Sequence, residues 1–119
     1  MLFEDSTNGN LAYLGDAVDF LTSGAVADSF GIRSEGDIRF GTNGNNLRMT
    51  IDTSGHVAPG ADNAQDLGSS SKRWRNIYTT DLHLANDRGN WTVIEEEDYL
   101  TLRNNKTNKV YKLVMEEIE

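Results

Sequence analysis

The sequence has no cysteine and a single proline, Pro59. The missing thiols exclude disulfides, thiolate-held zinc and iron–sulfur clusters, so no covalent or cluster staple supports the fold. Histidine is scarce as well: His56 and His83 are too few for a metal cluster without several carboxylates beside them. No apolar run reaches the roughly 18 residues that read as a membrane-spanning helix. The opening Met-Leu-Phe-Glu-Asp carries neither the basic nor the long apolar region of a signal peptide. The expectation is a protein made in the cytoplasm with no membrane insertion. Basic residues are absent from residues 1–32, which hold Glu4, Asp5, Asp16, Asp19 and Asp28, and the net charge is −8. Phosphate backbones and anionic lipid surfaces select for the opposite sign, so neither nucleic acid nor a membrane surface is an expected partner.

Large apolar residues are present but sparse. Leu, Ile, Val and Phe together number 27 of 119, a share just above the roughly 20% below which chains tend to stay disordered. A chain of this length with so lean a core ordinarily needs a supplement, and with cross-links excluded oligomerisation is the one that remains.

Turn chemistry is abundant. Asn8-Gly9, Asn43-Gly44, Ser23-Gly24, Ser54-Gly55 and Arg88-Gly89 punctuate the chain, supplying the backbone angles that tight turns require. Between them lie short runs with a period of two. Ile38 and Phe40 alternate with Asp37 and Arg39, and Leu47, Met49 and Ile51 alternate with Arg48, Thr50 and Asp52, predicting a hairpin turned at Thr42–Asn46. Val57-Ala58-Pro59 reads as a very short extended piece, and residues 61–71 as polar turns. A serine before Lys72-Arg73-Trp74-Arg75 is placed to cap one helical turn. Ile77–Leu84 then reads as a strand with Tyr78, Thr80, Leu82 and Leu84 on one face. From Trp91 a three-stranded meander is predicted, with strands at Trp91–Glu95, Tyr99–Arg103 and Val110–Met115, and Leu100 and Leu102 sharing a face. Ala17, Val18, Phe20 and Leu21 fit both a short helix capped by Asp16 and continued alternation. The fold class is therefore all-β, built of short antiparallel strands and meanders, in three segments: 1–35, an amino-terminal region open to an attachment role or a partly helical form; 36–85; and the meander 86–119.

Three stretches carry a family resemblance. Arg48-Met49-Thr50-Ile51-Asp52-Thr53-Ser54-Gly55-His56-Val57 resembles the R-M-x-I-D-x-S-G-x-V run of bacteriophage tail fibres. Asp66-Leu67-Gly68-Ser69-Ser70-Ser71-Lys72-Arg73-Trp74-Arg75-Asn76-Ile77-Tyr78 resembles their D-L-G-S-S-S-x-R-W-R-x-I-Y signature, the more specific of the two. Residues 86–105, from Asn86 to Asn105, are similar to a terminal module of tail fibres, those of marine phages included. The resemblance spans roughly residues 30–119. It implies a distal fibre or tailspike segment, a fibre-like homotrimer of intertwined strands located in the virion, made in the host cytoplasm and partnered by other tail or virion proteins and by a host-surface receptor. Nothing after Leu84 matches the S-D-x-R-x-K region that begins a self-cleaving chaperone in related fibres, so autoproteolysis is not expected and the chain is read as ending in a mature terminus.

Within that reading, Trp74, Ile77, Tyr78, Leu82, Leu84, Leu100 and Leu102 are the candidate trimer core, since large side chains are chiefly core and interface material. Trp74, between two arginines, also suits a sugar stack or a cation–π pair. Trp91, Tyr99 and Tyr111 are candidate receptor contacts, weighed against ordinary packing of a small sheet. Glu95-Glu96-Glu97-Asp98 reads as a solvated turn, because glycosidase carboxylates face each other across a bond from different elements. Asp5–Asn10 lacks the alternating acids and closing glutamate of a calcium loop. The sequons at Asn90 and Asn105 read as chance. No catalytic motif, cofactor fingerprint or metal set is present. Two other functions compete: a decoration or assembly protein that caps another virion component, and, more distantly, a fragment of a polysaccharide-degrading tailspike.

Overall fold

The computed structural model describes residues 2–5, 9–17, 21 and 28–119. Within these, all regular structure is antiparallel β, as the period-two runs and turn residues require. The strands, in chain order, are β1 (Leu2–Asp5), β2 (Gly9–Asp16), β3 (Phe30–Ser34), β4 (Ile38–Thr42), β5 (Asn46–Ile51), β6 (Val57–Pro59), β7 (Leu82–Ala85), β8 (Asn90–Glu95), β9 (Leu100–Asn104) and β10 (Val110–Lys112). They form three meanders, ordered β1-β2-β3, β4-β5-β6 and β10-β9-β8-β7. The chain divides into two compact units, residues 1–69 with the first two sheets and residues 70–119 with the third. The sequence segments were cut elsewhere, at 85/86, whereas β7 pairs with β8 and belongs with the last sheet.

The β4–β5 hairpin forms where the Asn-Gly pair predicts it. Asn43 and Gly44 take φ of 53° and 80°, a left-handed pair that matches the twist of the flanking strands. Asn46 Nδ2 donates to the Asn43 carbonyl at 2.6 Å. The register carries one irregularity: Phe40 pairs with Met49 but Gly41 pairs with Leu47, which leaves Arg48 bulged. Gly60 closes onto that bulge, its N–H donating to the Arg48 carbonyl at 2.8 Å.

Asx turns hold the other connections. Asp52 Oδ1 accepts from the N–H groups of Ser54 and His56, both at 2.9 Å. Asn86 Oδ1 accepts from Arg88 and Gly89 between β7 and β8, and Asn104 Oδ1 from Lys106 and Thr107 between β9 and β10. The amide donors on Asp52, led by that of His56, hold its carboxyl below the usual carboxylate range. A depressed folded value means that this carboxylate stabilises the turn at neutral pH, and that the contribution is lost as pH falls from the ordinary carboxylate value through the folded one. The expected result is that the Ser54 and His56 amides exchange faster with solvent on acidification across that window, while Asp52→Asn removes the pH dependence. Residue-resolved hydrogen exchange reads both.

Three expectations are corrected. Lys72–Arg75 form no helical turn; Lys72 and Arg75 are bends and Arg73 and Trp74 between them are irregular, because one isolated turn fixes several residues for a single hydrogen bond. The strand expected over Ile77–Leu84 begins only at Leu82, and the last one stops at Lys112 rather than Met115. Both shortfalls fall on the two outer strands of the third sheet, where the missing residues have a neighbour on one side at most; after Lys112 the Leu113 N–H still donates to the Leu100 carbonyl at 2.9 Å. The stretch Asp16–Leu21, which fitted either a short helix or continued alternation, lies mostly outside the described residues; what is seen is β2 running to Asp16 and a bond from the Leu21 N–H to the Ala17 carbonyl.

Apolar burial is poor. Among the described residues, the buried side chains are Ala17, Thr92 and Thr101, and no large side chain is fully buried. The chain exposes 10578 Å². A compact monomer of this mass exposes about 6,400 Å², and two separate domains cut at residue 69 about 7,700 Å².

Candidate interaction surfaces

Cross-strand partners project to the same face of a sheet, so the register sorts the third sheet into two faces. Leu82, Val93, Leu102 and Tyr111 stand in one row across all four strands. Leu84 and Trp91 pair beside it, and Leu100 lies two residues from Leu102 on the same face. Trp91 and Tyr111 meet across β9 with ring centroids 5.8 Å apart and a 47° tilt. Gly89 packs on this indole, since a Cβ there would lie 3.1 Å from its Cδ1 and Nε1. None of these apolar side chains is buried in the single chain.

The opposite face is mostly polar, with Ile94 and Val110 among its members, yet it holds the better-packed side chains. Thr92 and Thr101 are 4% and 6% exposed. Asn105 Nδ2 donates to Asn90 Oδ1 at 2.8 Å and to Thr92 Oγ1 at 2.9 Å. The Thr92 hydroxyl lies 3.1 Å from His83 Nδ1, and Thr101 donates to Glu96 Oε1 at 3.2 Å. Both sequon asparagines thus spend their amides on this network, whose buried members would be costly to leave unpaired. Sequence reasoning missed it; its only signal was the Asn-x-Thr spacing, which resembles a modification motif more than a hydrogen-bond ladder.

The sequence-nominated residues now separate. Leu82, Leu84, Leu100 and Leu102 of the core set share the apolar face with Trp91 and Tyr111 of the receptor set. Tyr99 does not join them: it sits on the polar side, with Lys112 Nζ 4.1 Å from its ring centroid. An open pocket of about 410 Å³ lies there, lined by Asp98, Tyr99 and Lys112–Met115. Trp74, Ile77 and Tyr78 lie in the irregular segment before β7, exposed by 63%, 71% and 91%.

The second sheet repeats the pattern. Its register puts Ile38, Ile51 and Val57 in one row and Phe40, Met49 and Pro59 in the next, on one face. A groove of about 410 Å³ runs beside it between Met49, Val57 and Pro59 on one side and Leu67 on the other. In the first sheet, the Arg33 guanidinium lies over the Tyr13 ring at 4.9 Å and pairs with Glu35 at 2.7 Å.

Glu95 ends β8, and Glu96–Asp98 form the exposed turn to β9, closed by the Glu96 N–H donating to the Tyr99 carbonyl. His56 contacts Asp52 at 3.2 Å and His83 contacts Thr92, on different sheets. No group of three metal-ligating side chains occurs among the described residues. Part of the Asp5–Asn10 loop lies outside them. Comparison with family models, with curated proteins and with solved structures finds no match.

Proposed function

We propose that this chain is a structural segment of a bacteriophage tail fibre or tailspike, working as a homotrimer in the virion and contributing to attachment at the host surface. The observation that carries the assembly half is the exposed area. It exceeds what even two separate small domains would show by roughly 2,900 Å², while a standard interface takes about 800 Å² from each partner. That excess supports contacts with two neighbours per copy, as a threefold ring requires. The exposed side chains are the apolar rows of two sheets together with Trp74, Ile77 and Tyr78, the material of an interface core. The attachment half rests on the tail-fibre-like motifs around Asp52 and Trp74.

The division of the aromatics between the two faces supports a division of work. Trp91 and Tyr111 go into the subunit contact with the leucines, and Tyr99, on the other face beside Lys112 and Asp98, is left to meet a receptor. Equilibrium sedimentation is expected to give a particle of three chains, and the protein is expected to bind whole host cells. Tyr99→Ala should lower cell binding about tenfold, the usual loss at an aromatic contact of this kind, with the sedimenting mass unchanged. A single-chain mass would remove the assembly half of the proposal. A trimer that ignores host cells would favour a decoration or assembly role instead.

A further inference from the structure

We infer that in the trimer residues 113–119 of each copy pair antiparallel with residues 74–81 of the next, closing three β7–β10 sheets into one ring. The inference rests on the trimeric reading and adds the edge at which the copies join. The sheet order leaves β10 free on one side and β7 on the other. Because the sheet has an even number of strands, these two edges run in opposite directions. Copies related by a rotation keep each strand's direction, so β10 of one copy meets β7 of the next as an antiparallel pair. Three copies of the four-stranded sheet then make twelve strands with no edge left over. The β4-β5-β6 sheet has an odd count, and the same operation would bring its edges together parallel.

Three independent observations support the join. The first is where the strands fall short. The alternation in the sequence runs over Ile77–Leu84 and Val110–Met115, but single-chain strands occupy only Leu82–Ala85 and Val110–Lys112. The unfulfilled residues precede β7 and follow β10. In an antiparallel pair those two stretches lie side by side.

The second is charge. Glu116, Glu117 and Glu119 follow β10, while Arg73 and Arg75 precede β7, and none of the five forms an ion pair within the described residues. Carrying the row Leu82–Val93–Leu102–Tyr111 onward without offset sets Lys112 beside Asp81 of the next copy, Val114 beside Thr79 and Ile118 beside Arg75. Lys112 and Asp81 are therefore an opposite-charge pair across the join, and Glu116, beside Ile77, lies diagonal to Arg75 on the same face.

The third is the direction of the apolar face. Closure turns Leu82, Leu84, Trp91, Val93, Leu100, Leu102 and Tyr111 inward, with Asn104 and the exposed Glu95 at the margins of that face, and leaves the already satisfied threonine–asparagine face outward. Leu113, Val114, Met115 and Ile118, all exposed in the single chain, gain a neighbouring strand.

The absence of native cysteine makes the test direct. Thr79→Cys combined with Val114→Cys places two thiols opposite each other at zero offset, and Ile77→Cys or Asp81→Cys with Val114→Cys covers a slip of two residues either way. Oxidation is expected to give a covalent three-chain band on a denaturing, non-reducing gel for one of these pairs. Separately, Arg75→Glu should weaken assembly about tenfold, the effect of placing like charges together at an interface, and adding Glu116→Arg should restore it. A wild-type protein that sediments as three chains, combined with single-chain bands for all three pairs and no effect of charge reversal, overturns the join and leaves the trimer standing. A wild-type protein that sediments as one chain removes both.

Discussion

Leu102→Asp is expected to convert the assembly into single chains that remain folded. Leu102 stands at the centre of the apolar row, between Val93 on β8 and Tyr111 on β10. In a lone copy it is half-buried on an open sheet face, so an aspartate there keeps partial access to water and costs the monomer about 1–3 kcal/mol, as for an ordinary substitution. In a closed trimer the same position holds three carboxylates facing one apolar interior. Each must be desolvated or protonated, at a cost of several kcal/mol, and the three repel one another besides. Summed over three copies, the penalty exceeds the roughly 8 kcal/mol that separates a micromolar complex from none. Sedimentation should therefore move to one-chain mass, while far-ultraviolet circular dichroism keeps its β signature. Arg103→Asp, one residue on and facing the polar side opposite Thr92, should leave the mass unchanged. If the two variants behaved alike, parity would not decide burial and the apolar face would not be the contact.

That contrast depends on a feature that was legible in the sequence. A period of two in Trp91–Glu95 and Tyr99–Arg103 specifies which residues share a face before any partner strand is known, and the register bears it out for Leu100 and Leu102. The β4–β5 hairpin was legible for a similar reason: Asn43-Gly44 is a local signal with a single backbone solution. What lay beyond reach was non-local. The bulge at Arg48 meets Gly60, twelve residues along the chain, a contact invisible in the alternation of Leu47, Met49 and Ile51. The addition of β7 to the terminal meander follows from the Asn86 turn, which local pattern does not distinguish from any other polar connection. Tyr99 was grouped with Trp91 and Tyr111 because all three are aromatic. Separating them required the β9 register, which places Tyr99 beside Lys112 instead. The strands at Ile77–Leu84 and Val110–Met115 were read too long: within one chain they occupy Leu82–Ala85 and Val110–Lys112.

The largest single-residue loss of stability within one copy is expected at Gly60, from Gly60→Ala. Its φ lies outside the left-handed region, so the backbone itself would accept a side chain; the obstacle is space. A Cβ on Gly60 would collide with the Leu47 carbonyl oxygen and lie 2.7 Å from the carbonyl carbon and 3.1 Å from Arg48 Cα. These are backbone atoms of β5, which cannot rotate aside as a side-chain end would. To admit the methyl, the chain after β6 must lift away from the bulge, breaking the 2.8 Å bond from the Gly60 N–H to the Arg48 carbonyl. Overpacking of this kind costs up to about 3 kcal/mol, and the lost hydrogen bond adds about 1 kcal/mol. Gly44→Ala provides the opposite case. Gly44 has φ of 80° with nothing within 4 Å of a Cβ, so its cost is the left-handed conformation alone, about 1–2 kcal/mol. Thermal unfolding should rank Gly60→Ala well below Gly44→Ala. Hydrogen exchange should localise the Gly60→Ala damage to β5 and β6, with the β4–β5 turn still protected. The reverse order would mean that β6 does not close onto the bulge, and that the Gly60–Arg48 contact is not what anchors the end of the second sheet.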